Sequence, residues 1–221
     1  LMGGTEPIMN SPAENPLDRI LVLEMVRVTE AAAVAASKLI GRGDEKAADA
    51  AAVEAMRKAF DTLYMDGTVV IGEGERDEAP MLFIGEKVGG APGKGPKIDI
   101  ALDPLEGTTI TAKAGPNSLA VLAAAAEGCL LNAPDVYMDK LAVGPGYPDG
   151  IIDLAKTPTE NVQAVAEAKG VAPSDIIVCV LDRPRHSDLI AELRSLGCGV
   201  VLVGDGDVAG VIATPDENTP I

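Results

Sequence analysis

The sequence of 221 residues predicts a mixed fold, α+β in its first part and α/β in its second part. Two alanine-rich helical patterns precede four apolar segments, whereas helices and strands alternate after about residue 155. Hydrophobic residues make up 47% of the chain, and the absence of Trp predicts an aliphatic core. We expect a disordered leader over residues 1–14, a first domain over 15–150 and a second over 151–221.

The first domain is expected to begin with two helices. Asn15 and Pro16 favour a helix start, with Asn at the cap and Pro at the first helical position, so a helix is predicted over 16–40. Two glycines end it, and Asp44 caps a second helix over 45–64. The many alanines let the two helices approach closely, as an antiparallel pair lying on a sheet.

The remaining elements follow from apolar runs and their spacing. The first domain is predicted to contain strands or buried apolar segments over 67–71, 98–102, 117–124 and 136–143. A domain boundary is placed near Asp149 and Gly150. Beyond it we predict helix 158–169, strand 176–181, helix 186–196, strand 199–203 and helix 206–213.

Composition excludes several classes of function. The net charge of −16 argues against binding nucleic acid or anionic membranes, both of which require basic patches. No apolar run reaches the roughly 18 residues that a membrane span needs, and no signal peptide is visible. The three cysteines have no metal-site spacing, so we interpret them as reduced thiols in a cytoplasmic protein.

The segment 103–108, with sequence Asp-Pro-Leu-Glu-Gly-Thr, follows a predicted strand and carries the strongest chemical signal. Hard divalent cations prefer carboxylate oxygens, which Asp103 and Glu106 supply. Phosphate prefers backbone N–H groups, which Gly107 and Thr108 present if a helix starts there. An acidic surface turn would use the same residue types, because Asp, Pro and Gly are common in turns.

Two further carboxylates precede this segment. Asp49 lies on the apolar stripe of the second helix, where a buried carboxylate requires a cation or an ion-pair partner. A metal ion is one such partner, and a salt bridge to Arg42 or Lys46 is the alternative. Glu73 follows a predicted strand between two glycines, as a metal ligand or as part of a solvated acidic loop.

These motifs, in this order, resemble the class II fructose-1,6-bisphosphatases of the GlpX type. That family lies within the lithium-sensitive, metal-dependent sugar phosphatase superfamily, and the resemblance implies its layered α-β-α-β-α fold, with the second α/β domain incomplete. The resembling segments extend through nearly the whole chain and are residues 41–44, 70–75, 77–82, 103–108, 131–135, 183–186 and 205–207.

The resemblance implies hydrolysis of a phosphate monoester by metal-assisted in-line attack, with Mg²⁺ or Mn²⁺ as the ion. It assigns one ion to Asp49 and Glu73. It assigns a second to Asp103 and Glu106, together with an acidic residue beyond the end of this chain. The Thr108 hydroxyl and nearby carboxylates would orient the attacking water, and backbone N–H groups of residues 107–108 would hold the phosphate.

The resemblance also implies a site for the sugar and its distal phosphate. Arginine forks match phosphate, and loops after parallel strands bind ligands. The implied contacts are Arg183, Pro184, Arg185, Asp205, Gly206, Asp207 and Tyr137. The structural alternatives are surface salt bridges for the arginines, a helix cap for Asp207 and a core edge for Tyr137. His186 is interpreted as a local cap or surface residue rather than a general base.

The function implied is that of a fructose-1,6-bisphosphatase acting on a sugar bisphosphate, expected as a dimer or tetramer of identical chains. A dual enzyme that also cleaves sedoheptulose 1,7-bisphosphate is the second interpretation, and a non-catalytic sugar-phosphate-binding protein is the third. The family continues past Ile221 with a further strand and acidic ligand. The chain therefore resembles a fragment, and we expect little or no activity from these 221 residues alone.

Overall fold

The computed structural model describes residues 19–73, 82–133 and 136–215. The predicted leader, the helix start at Asn15 and Pro16, and the acidic residues that follow Glu73 in its loop lie outside these ranges. The helices and strands, in chain order, are α1 Arg19–Ser37, α2 Glu45–Phe60, β1 Asp66–Ile71, β2 Lys87–Val88, β3 Lys97–Glu106, α3 Thr108–Ala112, β4 Leu119–Ala126, α4 Pro158–Lys169, β5 Ile177–Leu181, α5 Ser187–Ser195, β6 Gly199–Val203 and α6 Asp207–Ala213. The predicted mixed α and β architecture is confirmed.

Two helices pack together on one sheet, as predicted. The Asp44 side chain accepts a hydrogen bond from the Ala47 N–H at 2.9 Å, which confirms it as the cap of α2. Helix α2 ends at Phe60, earlier than the predicted residue 64. Alanines of both helices, including Ala32 and Ala52, are fully buried, so the helix axes can lie close together.

The first sheet has four strands in the order β2-β1-β3-β4. β1 and β3 are parallel, whereas β2 and β4 run antiparallel to their neighbours. The short strand β2 was not predicted. Aliphatic side chains and one phenylalanine from the helices and the sheet form a single core, whose largest fully buried members include Phe60, Met56, Met65, Ile98 and Ile100.

The second unit is smaller and alternates as predicted. β5 and β6 form a parallel pair, in register from Ile177 opposite Gly199 to Leu181 opposite Val203. Helix α4 begins with a capping box in which the Thr157 and Glu160 side chains bond each other's backbone N–H groups. A separate small core contains Val162, Ala166, Ile176, Val180, Ile190, Leu193 and Cys198. The boundary near residues 149 and 150 stays a prediction.

The prediction of a strand or buried segment over 136–143 is wrong. These residues form no helix or strand, and Tyr137 is 90% exposed. An apolar run becomes a strand only where a neighbour supplies hydrogen bonds to its backbone, and among the described residues no strand pairs with this segment.

Two further findings bear on the exclusions drawn from composition. Across the described ranges, no helix is both long and apolar enough to cross a bilayer. The three cysteines are free thiols, exposed at Cys129, half-buried at Cys179 and buried at Cys198. Burial raises the pKa of both Cys179 and Cys198, which keeps these thiols protonated and weakly nucleophilic.

Candidate active site

An irregularity in β3 places Asp103 and Glu106 on the same side of the sheet. Opposite β4, Asp103 pairs with Val121 and Glu106 with Leu119, so β3 accommodates one extra residue here. Such a β-bulge reverses the usual alternation, since residues three apart in a regular strand point to opposite faces. Pro104 lies inside the irregular stretch, where a residue without an N–H is tolerated. The bulge therefore brings two carboxylates of the segment 103–108 together.

Glu106 is the most unusual of these acids. Its side chain is 8% exposed, and its Oε2 atom is buried with no hydrogen-bond partner among the described residues. The backbone N–H of Val208 donates a hydrogen bond to the same carboxylate. Burial, followed by the charges of Asp103, Asp207 and Asp205, raises the pKa of Glu106 to about 7. A buried carboxylate oxygen without a partner is an open ligand position for a cation.

Asp103 is linked to Glu73 from the neighbouring strand end. A side-chain hydrogen bond with Glu73 lowers the pKa of Asp103, against the larger effect of burial. The Leu105 N–H donates to Asp103 Oδ1 at 3.0 Å. Burial is the main cause that raises the pKa of Asp103, and the charges of Asp49 and Asp205 raise it further. Four acids thus influence one another around this side chain.

Asp49 occupies the predicted apolar stripe of α2, in line with the buried residues Val53, Met56 and Phe60. Burial raises the pKa of Asp49. The alternative salt bridge to Arg42 or Lys46 does not form: within the described ranges the ion pairs involve other residues. The half-buried carboxylate therefore has no compensating protein cation in this part of the chain.

A close backbone contact fixes the position of Glu73. The Glu73 N–H donates to the Leu82 carbonyl at 3.0 Å. A Cβ atom at Gly72 would lie 2.2 Å from that same carbonyl oxygen, so only glycine fits beside it. The contact with Leu82 thus holds Glu73 just past the carboxyl end of β1.

Helix α3 begins at Thr108, so the condition for phosphate binding by the segment 103–108, a helix start at this point, is met. Gly107 precedes it with φ of 101°, a conformation that favours glycine. The first N–H groups of a helix have no acceptor within the helix. One of them, from Thr109, donates to Asp205 Oδ2 at 3.2 Å, and Asp205 belongs to the loop after β6. The amino end of α3 therefore faces the acidic cluster.

The residues predicted to bind the sugar and distal phosphate form a second group. Arg183 Nη1 donates to the carbonyls of Asp182 and Gly204, which ties together the loops after β5 and β6. The Arg185 guanidinium lies 4.6 Å from the centre of the Tyr137 ring, a cation–π contact. Arg185 is exposed to solvent.

Local contacts account for the remaining predicted residues. Asp207 forms an ion pair with Lys140 at 3.5 Å and is the first residue of α6. Pro184 opens a short 3₁₀ turn after β5. The His186 Nδ1 atom lies 2.8 Å from the Leu181 carbonyl oxygen, which fits the expected local role rather than that of a general base.

The donor set fits a hard divalent cation. Within the described ranges, no three His, Cys, Asp or Glu side chains are grouped so as to hold a metal ion by themselves. The acids are nevertheless near enough to raise one another's pKa, and Glu106 has an unpartnered buried oxygen. Carboxylate oxygens are among the donors that Mg²⁺ and Mn²⁺ prefer. A cation would offset the burial and the repulsion that act on Glu106 and Asp103.

Sequence reasoning missed three contributors to this site. These are the Val208 N–H on Glu106, the Asp205 carboxylate on Thr109, and Lys140, which pairs with Asp207. The first two could not be predicted because the partners are far apart in the sequence: Asp205 lies 96 residues from Thr109. Lys140 lies in the segment that was predicted as a strand.

The fold and the site define a class of mixed α/β proteins whose carboxylates gather at strand ends beside the start of a helix. The sequence matches the family described as "Bacterial fructose-1,6-bisphosphatase, glpX-encoded" over residues 19–221, and the chain belongs to this family. The resemblance drawn from the motifs is thereby confirmed.

Similar proteins bear two kinds of name. The "D-fructose 1,6-bisphosphatase class 2/sedoheptulose 1,7-bisphosphatase" of Prochlorococcus marinus (strain NATL1A) is 51% identical over 203 residues, which cover 92% of this chain and 60% of that protein. The "Fructose-1,6-bisphosphatase 1 class 2" of Escherichia coli (strain K12) is 52% identical over 205 residues, with the same coverages. The chain thus spans about three fifths of the length of the relatives it matches.

Proposed function

We propose that the protein to which this chain belongs hydrolyses fructose 1,6-bisphosphate to fructose 6-phosphate and phosphate. The observation that carries the proposal is the acidic cluster at the bulge of β3. There, a buried Glu106 oxygen without a partner lies beside the amino end of α3. Membership of the glpX-encoded family supplies the substrate class.

Four carboxylates are proposed to hold divalent cations, with Asp49 and Glu73 for one ion and Asp103 and Glu106 for another. Mg²⁺ and Mn²⁺ suit an all-oxygen donor set of this kind. When bound, the ions would stabilise the negative charge that develops on the phosphoryl oxygens. The raised pKa values of Asp49, Asp103 and Glu106 support this assignment, because the folded protein tolerates these charges poorly without a counter-ion.

The reacting phosphate is proposed to lie at the start of α3. The Gly107 and Thr108 N–H groups would bind its oxygens, because the first turn of a helix directs N–H groups outward without internal acceptors. The half-buried Thr108 hydroxyl would orient the attacking water together with Glu73 and Asp103. The positive φ of Gly107 lets the backbone turn sharply from β3 into this position.

The sugar and the distal phosphate are proposed to bind over the second unit. Arg185, with Tyr137 stacked against it, would bind the distal phosphate through its guanidinium donors, and Arg183 would hold the surrounding loops. Residues 205–207 and Pro184 would line the sugar. Asp207 would accept hydrogen bonds from sugar hydroxyls when its exposed ion pair with Lys140 opens.

Cleavage of sedoheptulose 1,7-bisphosphate is a second candidate activity. It is supported by the name of the Prochlorococcus relative, whereas the similarly distant Escherichia coli relative bears the single name. We also propose that the protein is cytoplasmic and assembles into homo-oligomers. The free cysteines agree with a reducing compartment.

A phosphate-release assay tests the proposed function. The protein is given each bisphosphate with Mg²⁺ or Mn²⁺, and the same assays are repeated with excess chelator. Release that requires the cation and is abolished in Glu106→Gln is expected. Asp182→Asn, which changes an exposed acid at the end of β5, is the matched control and should retain activity. Full turnover in excess chelator would contradict the cation assignment.

A further inference from the structure

Asp205 makes a hydrogen bond within the protein that involves no sugar ligand. Its Oδ2 atom accepts a hydrogen bond from the Thr109 N–H at 3.2 Å. Thr109 is the second residue of α3, so no carbonyl within that helix can accept from its N–H. The acceptor comes instead from the loop after β6, in the second unit of the chain. Asp205 therefore holds the first turn of α3 from outside.

The same loop contacts α3 and the acidic cluster at two more points. Gly206 is buried, and a Cβ atom there would lie 2.8 Å from Ile110 Cδ1 and 3.4 Å from Glu106 Oε2. The Val208 N–H donates to the Glu106 carboxylate. One short segment, residues 205–208, thus touches both the helix start and the open carboxylate oxygen.

The acidic character of Asp205 has an electrostatic cost. Its charge acts on both Asp103 and Glu106, which are already partly or fully buried. A like charge near buried carboxylates is unfavourable. A charged acceptor on a backbone N–H makes a stronger hydrogen bond than a neutral one, and an anion near the start of a helix is favoured, so both effects offset that cost.

We propose that Asp205 is a positioning residue that fixes the first turn of α3 against the second unit of the chain. Through α3 it sets where the Thr108 hydroxyl and the Gly107 and Thr108 N–H groups lie relative to the reacting phosphate. The inference deepens the proposed function and rests on it. It adds to the sugar contact proposed for Asp205 a role in aligning the catalytic turn.

Kinetics on two substrates separate these roles. An aryl phosphate monoester has a reacting phosphate but no sugar hydroxyl. If Asp205 positions α3, Asp205→Ala lowers kcat by about 10- to 100-fold on both fructose 1,6-bisphosphate and the aryl phosphate, because a misplaced catalytic group costs this much. Asp205→Asn, which keeps an oxygen acceptor, recovers most of the loss. A loss confined to the sugar substrate and expressed in KM overturns the inference.

Amide hydrogen exchange tests the contact without relying on activity. The Thr109 N–H has one acceptor in the described structure, so Asp205→Ala should speed its exchange by about tenfold or more, the scale of one lost hydrogen bond to a charged group. Asp205→Asn should retain most of the protection. Asp182→Ala, the acid at the end of the neighbouring strand β5, is the matched control and should leave the Thr109 rate unchanged.

The two tests distinguish failure of the proposed function from failure of the positioning role. If the whole wild-type protein to which this chain belongs releases no phosphate from either substrate, the proposed function is wrong, and the exchange of Thr109 still decides whether Asp205 holds α3. If the wild-type protein is active and Asp205→Ala changes neither kcat nor the exchange of Thr109, the positioning role is wrong while the proposed function stands.

Discussion

The two units of the chain contribute different parts of the candidate site. The first unit packs two helices on a four-stranded sheet around a large aliphatic core, and its strand ends and α2 carry the carboxylates proposed for cations. The second unit has two parallel strands and a smaller core, and its loops contribute hydrogen-bond donors and acceptors. On the proposed roles, the first unit would hold the reacting groups and the second unit would align them.

Three of the contacts that join the two units in the described structure lie beside the acidic cluster. They are the Thr109 to Asp205 hydrogen bond, the Val208 N–H on Glu106 and the packing of Gly206 against Ile110. All three involve the bulge of β3 or the first turn of α3. A small change in the second unit can therefore reach the reacting groups of the first unit without altering its core.

The largest expected effect is on the two cores. Phe60 is fully buried in the first core and Leu193 is 1% exposed in the second. Phe60→Ala should cost about 3–5 kcal/mol of unfolding free energy and Leu193→Ala about 2–5 kcal/mol, from lost burial and cavity formation. Hydrogen exchange should show each loss mainly within its own unit. Equal loss of protection in both units after either change would mean that the chain unfolds as one cooperative body.

Glu106 should limit the stability of the first unit when cations are removed. Its pKa is about 7 in the folded protein and 4.5 ordinarily, so the folded state binds this proton more tightly than the unfolded state. The stabilisation that the protonated Glu106 side chain gives to the folded state is fully present below pH 4.5 and is lost as the pH rises to about 7. Above that pH, Glu106→Gln in excess chelator should be more stable than wild type by about 3 kcal/mol.

Urea unfolding of both proteins across this pH range measures the difference. The advantage of Glu106→Gln should shrink as the pH falls and vanish below pH 4.5, where Glu106 is protonated in both states. A constant advantage at every pH would show that the substitution acts by packing and not by removing a buried charge.

Thr108→Val tests the chemical step within the first unit. If the hydroxyl orients the attacking water, kcat should fall by about 100-fold, the usual scale for a lost acid–base or positioning group. KM should change little, because the backbone N–H groups proposed to bind the phosphate remain. Thr108→Ser, which keeps the hydroxyl, is the matched control. A nearly normal kcat for the valine variant would return Thr108 to a purely structural role at the start of α3.

Arg185→Ala tests recognition by the second unit and should have the smallest effect. KM for the bisphosphate should rise by about tenfold, since an exposed guanidinium contributes roughly the strength of one charge-assisted hydrogen bond. A monophosphate that lacks the distal group should be unaffected. Arg183→Ala is less informative, because Arg183 also holds the carbonyl of Gly204. Equal loss on both substrates would place Arg185 in the structure or the chemistry instead.

Local signals predicted much of the fold. The cap at Asp44 and the apolar run of β6 each depend on a few neighbouring residues, and the predicted bounds of α4 and β6 match the structure. The strand predicted over 136–143 failed because its state depends on a partner strand. Sequence periodicity carries no information about such a partner.

The candidate site likewise combines features that local sequence indicates with features that depend on tertiary packing. The chemical types in residues 103–108 indicated oxygen ligands and, if a helix started there, N–H groups for a phosphate, and α3 does begin at Thr108. The bulge that aligns Asp103 with Glu106, and the contacts of the second unit with α3, arise from tertiary packing between distant segments. The roles of the individual residues stay predictions until variants are measured.

Binding of Mn²⁺, followed by electron paramagnetic resonance, tests the central claim most directly, since it requires no turnover. Wild-type protein should bind the ion, and Glu106→Gln and Asp49→Asn should each weaken binding by about tenfold or more, at least the cost of disturbing a ligand's surroundings. Asp182→Asn should bind as the wild type does. Unchanged Mn²⁺ affinity in both Glu106→Gln and Asp49→Asn would contradict the assignment of this acidic cluster as the cation site.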